Sequence, residues 1–291
     1  MLTGKSIVII GGDARHVEMM KHLIEKDATL YAVGYEELEE EIDGLYLTDV
    51  DHIPQEKVDA IILPITGLDK EGYAEAHFAE TSPHITKDWL EGFRGDCILF
   101  TGIMTPYLKE LLSFKERIIP LFNRDDVAIY NSIPTAEGTV MFAIQHTDFT
   151  IHNSNVTILG LGRVGKTLIH TFKGLGANVS VYSRHEDELA RIFEYQASPI
   201  RDEELEDHLK DCDILINTIP ALFVTPSLIS SLPINSLIID LASKPGGVDF
   251  RFAKKRGIKS ILAPGLPGLV APKTAGVILA RVIHNIIMEN Q

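Results

Sequence analysis

Six residues constrain this chain more than any others. Gly160-Leu161-Gly162-Arg163-Val164-Gly165 follows a β-branched run at 156–159 and opens a helical stretch that closes at Gly174-Leu-Gly. A second β-branched run, 179–182, comes directly after. Strand, glycine turn, helix and strand in that compact order make the βαβ unit of a dinucleotide-binding fold. Each glycine has its own duty: the first permits the tight turn, the second lets a pyrophosphate approach the backbone, and the third lets helix and strand pack closely. The phosphates then meet the helix N-terminus, where unpaired N–H groups and the dipole favour anions. Gly160, Leu161, Gly162, Arg163 and Val164 are therefore expected to bind the cofactor.

The same stretch also satisfies a rival spacing. Gly160-x-x-x-x-Gly165-Lys166-Thr167 fits a nucleotide-binding P-loop, and 236–240 could serve as its magnesium-holding strand. Context favours the dinucleotide, because Gly162 is essential to that reading and incidental to the other. Lys166 and Thr167 then become plain helix residues. The tip of the second strand selects among cofactors. NAD sites usually place an acid there for the ribose 2′-hydroxyl, but this strand ends Tyr182-Ser183-Arg184-His185. Arg184 can pair with a 2′-phosphate and Ser183 can donate to it, so NADP is the expected cofactor. Against this, Arg184 can be read as a solvated residue at a helix start.

β-Branched runs alternate with helical stretches along the whole chain, the pattern of an α/β protein with parallel sheets and crossover helices. Strands are expected at 7–10, 30–33, 45–47, 60–63, 98–101 and 118–121, and again at 156–159, 179–182, 214–217, 237–240 and 260–262. The two halves resemble each other, since Ile-Val-Ile-Ile-Gly-Gly-Asp13 and Val-Thr-Ile-Leu-Gly-Leu-Gly162 both run into helices through glycine. Two Rossmann-like domains fit a length of 291 residues. The expected division is 1–130, flavodoxin-like, on the substrate side and completed by 275–291, against 131–274 as the NADP-binding domain. Long helices at 134–146 and 274–288 would join them, with a cleft between.

Charge narrows the partners. Asp and Glu number 41 against 27 Lys and Arg, a net charge of −14, which argues against nucleic acid or an anionic membrane. No apolar run approaches a membrane span, and the N-terminus reaches Gly-Gly-Asp13 too early for a signal peptide. Eight carboxylates without a Lys or Arg occupy 36–51 and read as a solvated face. Cys97 and Cys212 lack CxxC partners and read as buried thiols in a reducing cytosol. No His cluster has metal spacing, so no metal is expected.

Ligands of open α/β sheets lie beyond the carboxyl ends of the strands. Thr218, Ile219 and Pro220, after the run at 214–217, should face the nicotinamide half. Lys244, in Ala242-Ser-Lys-Pro-Gly-Gly247, could hold a substrate carboxylate or assist proton transfer, with a solvated lysine as the alternative. The loop at 263–274, rich in proline and glycine, should be stiff, with Thr274 capping the last helix. Ser132, Thr135 and Glu137 open the linker helix; Ser132 and Thr135 are expected to bind the substrate, and Glu137 is either a general acid/base or substrate-orienting group or an acid favoured by the dipole of a first turn. In the first domain Gly11-Gly12-Asp13 lacks a third glycine. A second dinucleotide is not expected there, and Arg15 and His16 would hold an anionic substrate or simply form a polar turn.

Several further motifs carry a specific resemblance. Ile9-Ile-Gly-Gly-Asp-x-Arg15, Asn131-Ser-Ile-Pro-Thr-Ala-Glu-Gly138, Asp240-Leu-Ala-Ser-Lys-Pro-Gly-Gly247, Ala263-Pro-Gly-Leu-Pro-Gly268 and Ala271-Pro-Lys-Thr-Ala-Gly276 occur in order over essentially the whole chain. The chain thus resembles the dipicolinate synthase A-subunit family. The resemblance implies an NADP-dependent oxidoreductase component of sporulating bacteria. It would work in the mother-cell cytoplasm with a smaller, flavoprotein-like B-subunit of the same synthase and convert dihydrodipicolinate to dipicolinate. A dicarboxylate substrate needs cationic pockets, for which Arg15, Lys244 and Lys273 are candidates. A homo-oligomer is also expected. The competing reading is an NADP(H)-binding scaffold or regulatory component whose partner carries the chemistry, since fold alone does not assign function.

Overall fold

The computed structural model describes residues 1–111, 116–242 and 246–290. They form two compact units, Met1–Asn131 with Ala271–Gln291, and Ser132–Val270. The first unit holds six parallel strands: β1 (Ser6–Ile10), β2 (Thr29–Val33), β3 (Leu45–Leu47), β4 (Ala60–Ile62), β5 (Ile98–Thr101) and β6 (Ile118–Pro120), in the order β3-β2-β1-β4-β5-β6. The second repeats that order with β7 (Asn155–Leu159), β8 (Asn178–Tyr182), β9 (Ser198–Ile200), β10 (Ile214–Asn217), β11 (Leu237–Asp240) and β12 (Lys259–Leu262), arranged β9-β8-β7-β10-β11-β12. Both sheets carry the Rossmann order 3-2-1-4-5-6. The flavodoxin-like arrangement expected of the first unit, 2-1-3-4-5, is therefore corrected.

In chain order the helices are α1 (Ala14–Ile24), α2 (Lys87–Glu91), α3 (Pro106–Lys109), α4 (Asp125–His146), α5 (Arg163–Gly174), α6 (Glu186–Glu194), α7 (Leu205–His208), α8 (Pro226–Ser231), α9 (Phe250–Arg256), α10 (Leu266–Val270) and α11 (Pro272–Glu289). The division between the units at Asn131 falls inside α4. Two departures from the sequence reading concern helix ends. The helix expected to open at Pro134 starts at Asp125. Pro134 lies buried in its interior, although proline there removes one backbone hydrogen bond and usually ends a helix. The last helix is capped by Ala271 without a side-chain bond, so Thr274 is not its cap. The short β9 went unread because Pro199 sits in it; an edge strand tolerates proline, having one side unpaired.

Strands at the sheet centres read as continuous apolar runs because helices and loops cover both faces. Ile7 and Ile9 point into one core with Leu279, Ile283 and Ile286 of α11, while Val8 and Ile10 point into another with Ile61 and Leu99. In the second unit Val156 and Ile158 pack with Leu168, Ile169 and Phe172 of α5, and Leu159 packs on the opposite face with Leu215. Gly276 of α11 lies against the Arg15 carbonyl and Glu18 of α1, while Arg281 and His284 lie near His22. The two helices therefore run parallel, with their N-termini at the same end of the unit. Cys97 and Cys212 are buried, and burial pushes both thiols up to about 12. Among the described residues no helix is long and apolar enough to cross a membrane, and no cluster of His, Cys, Asp or Glu could hold a metal.

Candidate functional site

A cavity of about 340 Å³ opens at the carboxyl end of the second sheet, between the tips of β7, β8 and β10. Its floor is the glycine turn. Gly160 has φ +96°, a conformation that disfavours any side chain. A Cβ on Gly165 would overlap the Gly160 carbonyl oxygen, so the third glycine sets the close approach of α5 to the turn. Gly162 is different. Its φ of −70° is ordinary and a Cβ there would meet nothing within 4 Å. The free protein does not require glycine at 162; what the missing side chain keeps open is space in the cavity. Gly162 is also the N-cap of α5 without a side-chain bond, and the first turn of a helix lacks intrahelical partners for its N–H groups. A turn of this shape can accept a pyrophosphate. Leu161 is buried beneath it, while Arg163 and Val164 form the first turn of α5.

Lys166 is exposed. Thr167 binds the Ser132 hydroxyl at 2.6 Å and the Arg163 carbonyl at 3.3 Å. Asp240, the acid of the rival magnesium site, is fully buried. It accepts from Asn217 Nδ2 at 2.8 Å, Ala242 N–H at 3.1 Å and Gly247 N–H at 2.6 Å. Its lone pairs are thus committed to the loops, which supports the dinucleotide reading. The loops after β10 and β11 are tied further by Asn217 Nδ2 donating to the Ile219 carbonyl and by Phe223 N–H donating to the Gly247 carbonyl. Thr218, Ile219 and Pro220 line the cavity, and Thr218 Oγ1 donates to the Leu159 carbonyl at 2.8 Å. Lys244 lies outside the described residues.

At the tip of β8, Arg184 Nε donates to the Tyr182 hydroxyl at 2.8 Å, its guanidinium lies over the Phe223 ring at 5.4 Å, and Asp202 is 3.6 Å away. Burial, then the bond to Asp202, push the Tyr182 phenol up, so its hydroxyl donates to Asp202 while accepting from Arg184. Ser183 is buried. Its hydroxyl donates to Glu188, from the first turn of α6, and accepts from His185 N–H at 3.1 Å. Ser183 and Arg184 line the cavity. The proton that Ser183 was expected to offer a 2′-phosphate is bound to Glu188. Sequence reading missed Glu188 and Asp202 because their proximity to the strand tip is spatial.

The remaining candidates are placed less simply. Ser132 is buried, with its hydroxyl against Thr167, where it joins α4 to α5. Thr135 accepts a bond from Thr139 through its carbonyl. Glu137 is exposed in mid-helix, which removes the first-turn dipole as a reason for it, and it is not among the residues lining the 340 Å³ cavity. In the first unit, His16 is 1% exposed. Its Nδ1 accepts from Asp13 N–H at 3.1 Å and its Nε2 faces the Leu63 carbonyl at 3.4 Å. His16 thus closes a capping box with Asp13 and is not presented to a substrate. Arg15 Nε lies 3.0 Å from both Asp13 oxygens and its Nη2 2.5 Å from one. Lys273 is exposed at the start of α11, on the same end as Arg15. The glycine turn of this unit is filled by its own chain: Gly12 N–H donates to the Glu75 carbonyl, His77 N–H donates back to Gly12, and Tyr35 donates to the Gly11 carbonyl while stacking on Phe78.

Residues 6–121 match the profile of the dipicolinate synthase A-subunit N-terminal domain, and residues 135–237 that of the D-isomer specific 2-hydroxyacid dehydrogenase NAD-binding domain. The chain is 48% identical to the dipicolinate synthase A-subunit of Bacillus subtilis (strain 168), over 100% of its own length and 98% of that protein. The crystal structure of the dipicolinate synthase A-subunit from Bacillus halodurans superposes with a TM-score of 0.94 at 48% identity, covering 99% of each chain. A transhydrogenase from Sinorhizobium meliloti shares the fold, with a TM-score of 0.68 at 16% identity over 97% of this chain and 94% of that one.

Proposed function

This chain belongs to the dipicolinate synthase A-subunit family, and on that premise we propose that it is the NADP-dependent oxidoreductase component that converts dihydrodipicolinate to dipicolinate in sporulating cells. The observation that carries the reading is the glycine turn at Gly160, Gly162 and Gly165, whose middle glycine lines the cavity with open space where a Cβ would sit. The pyrophosphate would take the first-turn N–H groups of α5, and Arg184 the 2′-phosphate. Thr218, Ile219 and Pro220 would border the nicotinamide.

Dehydrogenating a dihydropyridine ring removes one hydride and one proton, and aromatisation favours the product. When bound, the nicotinamide supplies the hydride acceptor. The protein must orient the substrate and exclude water. Lys273 and Arg15, at the N-termini of two parallel helices, are the proposed partners of one substrate carboxylate; Arg15 would share its guanidinium between that carboxylate and Asp13. Lys244 is the proposed partner of the other carboxylate or of the proton. Glu137 is the proposed proton acceptor. The proposed partner protein is the B-subunit of the same synthase, because the relatives are named as its A-subunit. The proposed compartment is the cytoplasm of the mother cell.

The exposed placement of Glu137, off the lined cavity, favours one competing reading, in which this chain holds the cofactor and its partner carries the chemistry. The test follows absorbance at the NADPH band with dihydrodipicolinate, with and without the B-subunit. Turnover by the chain with NADP supports the oxidoreductase reading. Turnover only in the presence of the partner, unchanged by Glu137→Gln and Lys244→Met, favours the scaffold. Arg184→Ala should weaken NADPH about tenfold while leaving NADH within about twofold; equal losses in calorimetric titrations would sink the NADP assignment.

A further inference from the structure

We propose that Glu188 is a specificity-determining residue that opposes the 2′-phosphate, so that cofactor choice is a balance between Glu188 and Arg184. The inference rests on the reading of Arg184 given above. Glu188 is five residues beyond Ser183 in sequence, yet it lines the same cavity as Gly162 and Arg184 because the first turn of α6 folds back over the tip of β8. Ser183 Oγ donates its single proton to the Glu188 carboxylate and accepts from His185 N–H. A hydroxyl has one donor. While that donor is held by Glu188, Ser183 presents the cavity with lone pairs backed by a negative charge.

The two cofactors meet this pair differently. A 2′-phosphate is anionic and accepts only, so it gains nothing from Ser183 and is repelled by the carboxylate. A ribose 2′-hydroxyl carries its own proton and can donate it to Glu188. Arg184 pulls the other way, but it is shared with the Tyr182 hydroxyl and faced by Asp202 at 3.6 Å. The carboxylates of Glu188 and Asp202 thus oppose the Arg184 guanidinium around the subsite. The absence of an acid at 182–185 is made up by one arriving from the following helix.

The experiment titrates NADPH and NADH into the full chain, reading nicotinamide fluorescence, for the wild type and for Glu188→Gln. Glutamine is isosteric, keeps a carbonyl for the Ser183 hydroxyl and removes the charge. The NADPH dissociation constant should fall about tenfold, or about 1.4 kcal/mol, while that for NADH stays level or rises. A Glu188→Ala variant should move the ratio in the same direction, which keeps the test valid if one substitution perturbs the helix. Ser183→Ala should cost NADPH affinity more in the Glu188→Ala background than in the wild type, because only there is the acceptor removed and the hydroxyl proton released. Equal changes for both cofactors, or a loss of NADPH affinity in both Glu188 variants, would overturn the proposal. Failure of the Arg184 reading is recognised separately, by an unchanged cofactor ratio in Arg184→Ala.

Discussion

Two single carboxylates show how position decides the role of a residue. Asp240 looks in sequence like a metal-binding acid at a strand end, but three donors converge on it in the folded chain. Asp240→Asn would put an amide N–H against those donors, and leaving a buried network mismatched costs about 2–3 kcal/mol. Urea unfolding should show that loss, and NADPH binding should weaken with it because the Thr218 loop is anchored through Asn217. Asp13 is the second case. Burial alone would raise its carboxyl, but its contacts with His16 and Arg15 outweigh burial and hold it far below the usual carboxylate range. A depressed pKa contributes stability that is present above about pH 4 and withdrawn as pH falls through the folded value. Asp13→Asn should therefore be roughly 1–2 kcal/mol less stable than wild type at pH 7, with the difference narrowing as acid is added. A gap that stays constant from about pH 7 to about pH 3 would refute the linkage.

Between elements, the glycines at helix contacts matter most. Gly276 lets α11 approach α1 so closely that a Cβ would overlap the Arg15 carbonyl. Overpacking such a contact typically costs about 1–3 kcal/mol, so Gly276→Val should lower the unfolding midpoint and disturb the end of the unit that carries Arg15 and Lys273. Gly165→Val should instead abolish cofactor binding, because it forces α5 away from the Gly160 turn. Strand positions were legible from β-branched runs, since a parallel strand buried on both faces has little choice of side chain. Where local signals met tertiary packing they failed. Pro134 reads as a helix boundary and lies inside α4, and Pro199 reads as a break and lies in β9.

Across the molecule, each unit has its own pair of cores on the two faces of its sheet. Among the described residues, the glycine turn of the second unit opens onto a cavity, while the matching turn of the first is filled by its own chain. Ligand binding stabilises by mass action, about 2.7 kcal/mol at about a hundred times the dissociation constant. Hydrogen exchange with NADPH should therefore slow around 159–165, 182–188 and 217–224, while residues 9–13 stay unaffected; protection at Gly11 and Gly12 instead would put the cofactor in the other unit. The α/β class, the strand positions other than β9, the glycine turn and the family could be read from the order of residues, because they depend on local periodicity and on backbone freedom that glycine alone supplies. What each polar side chain faces came from the folded chain. Folding turned His16 inward as a cap, buried Ser132 against Thr167, filled the first glycine turn with residues 75–78 and brought Glu188 to Ser183. Those outcomes turn on hydrogen-bond partners supplied by other elements, and a buried polar group takes whichever partner the packing brings within reach.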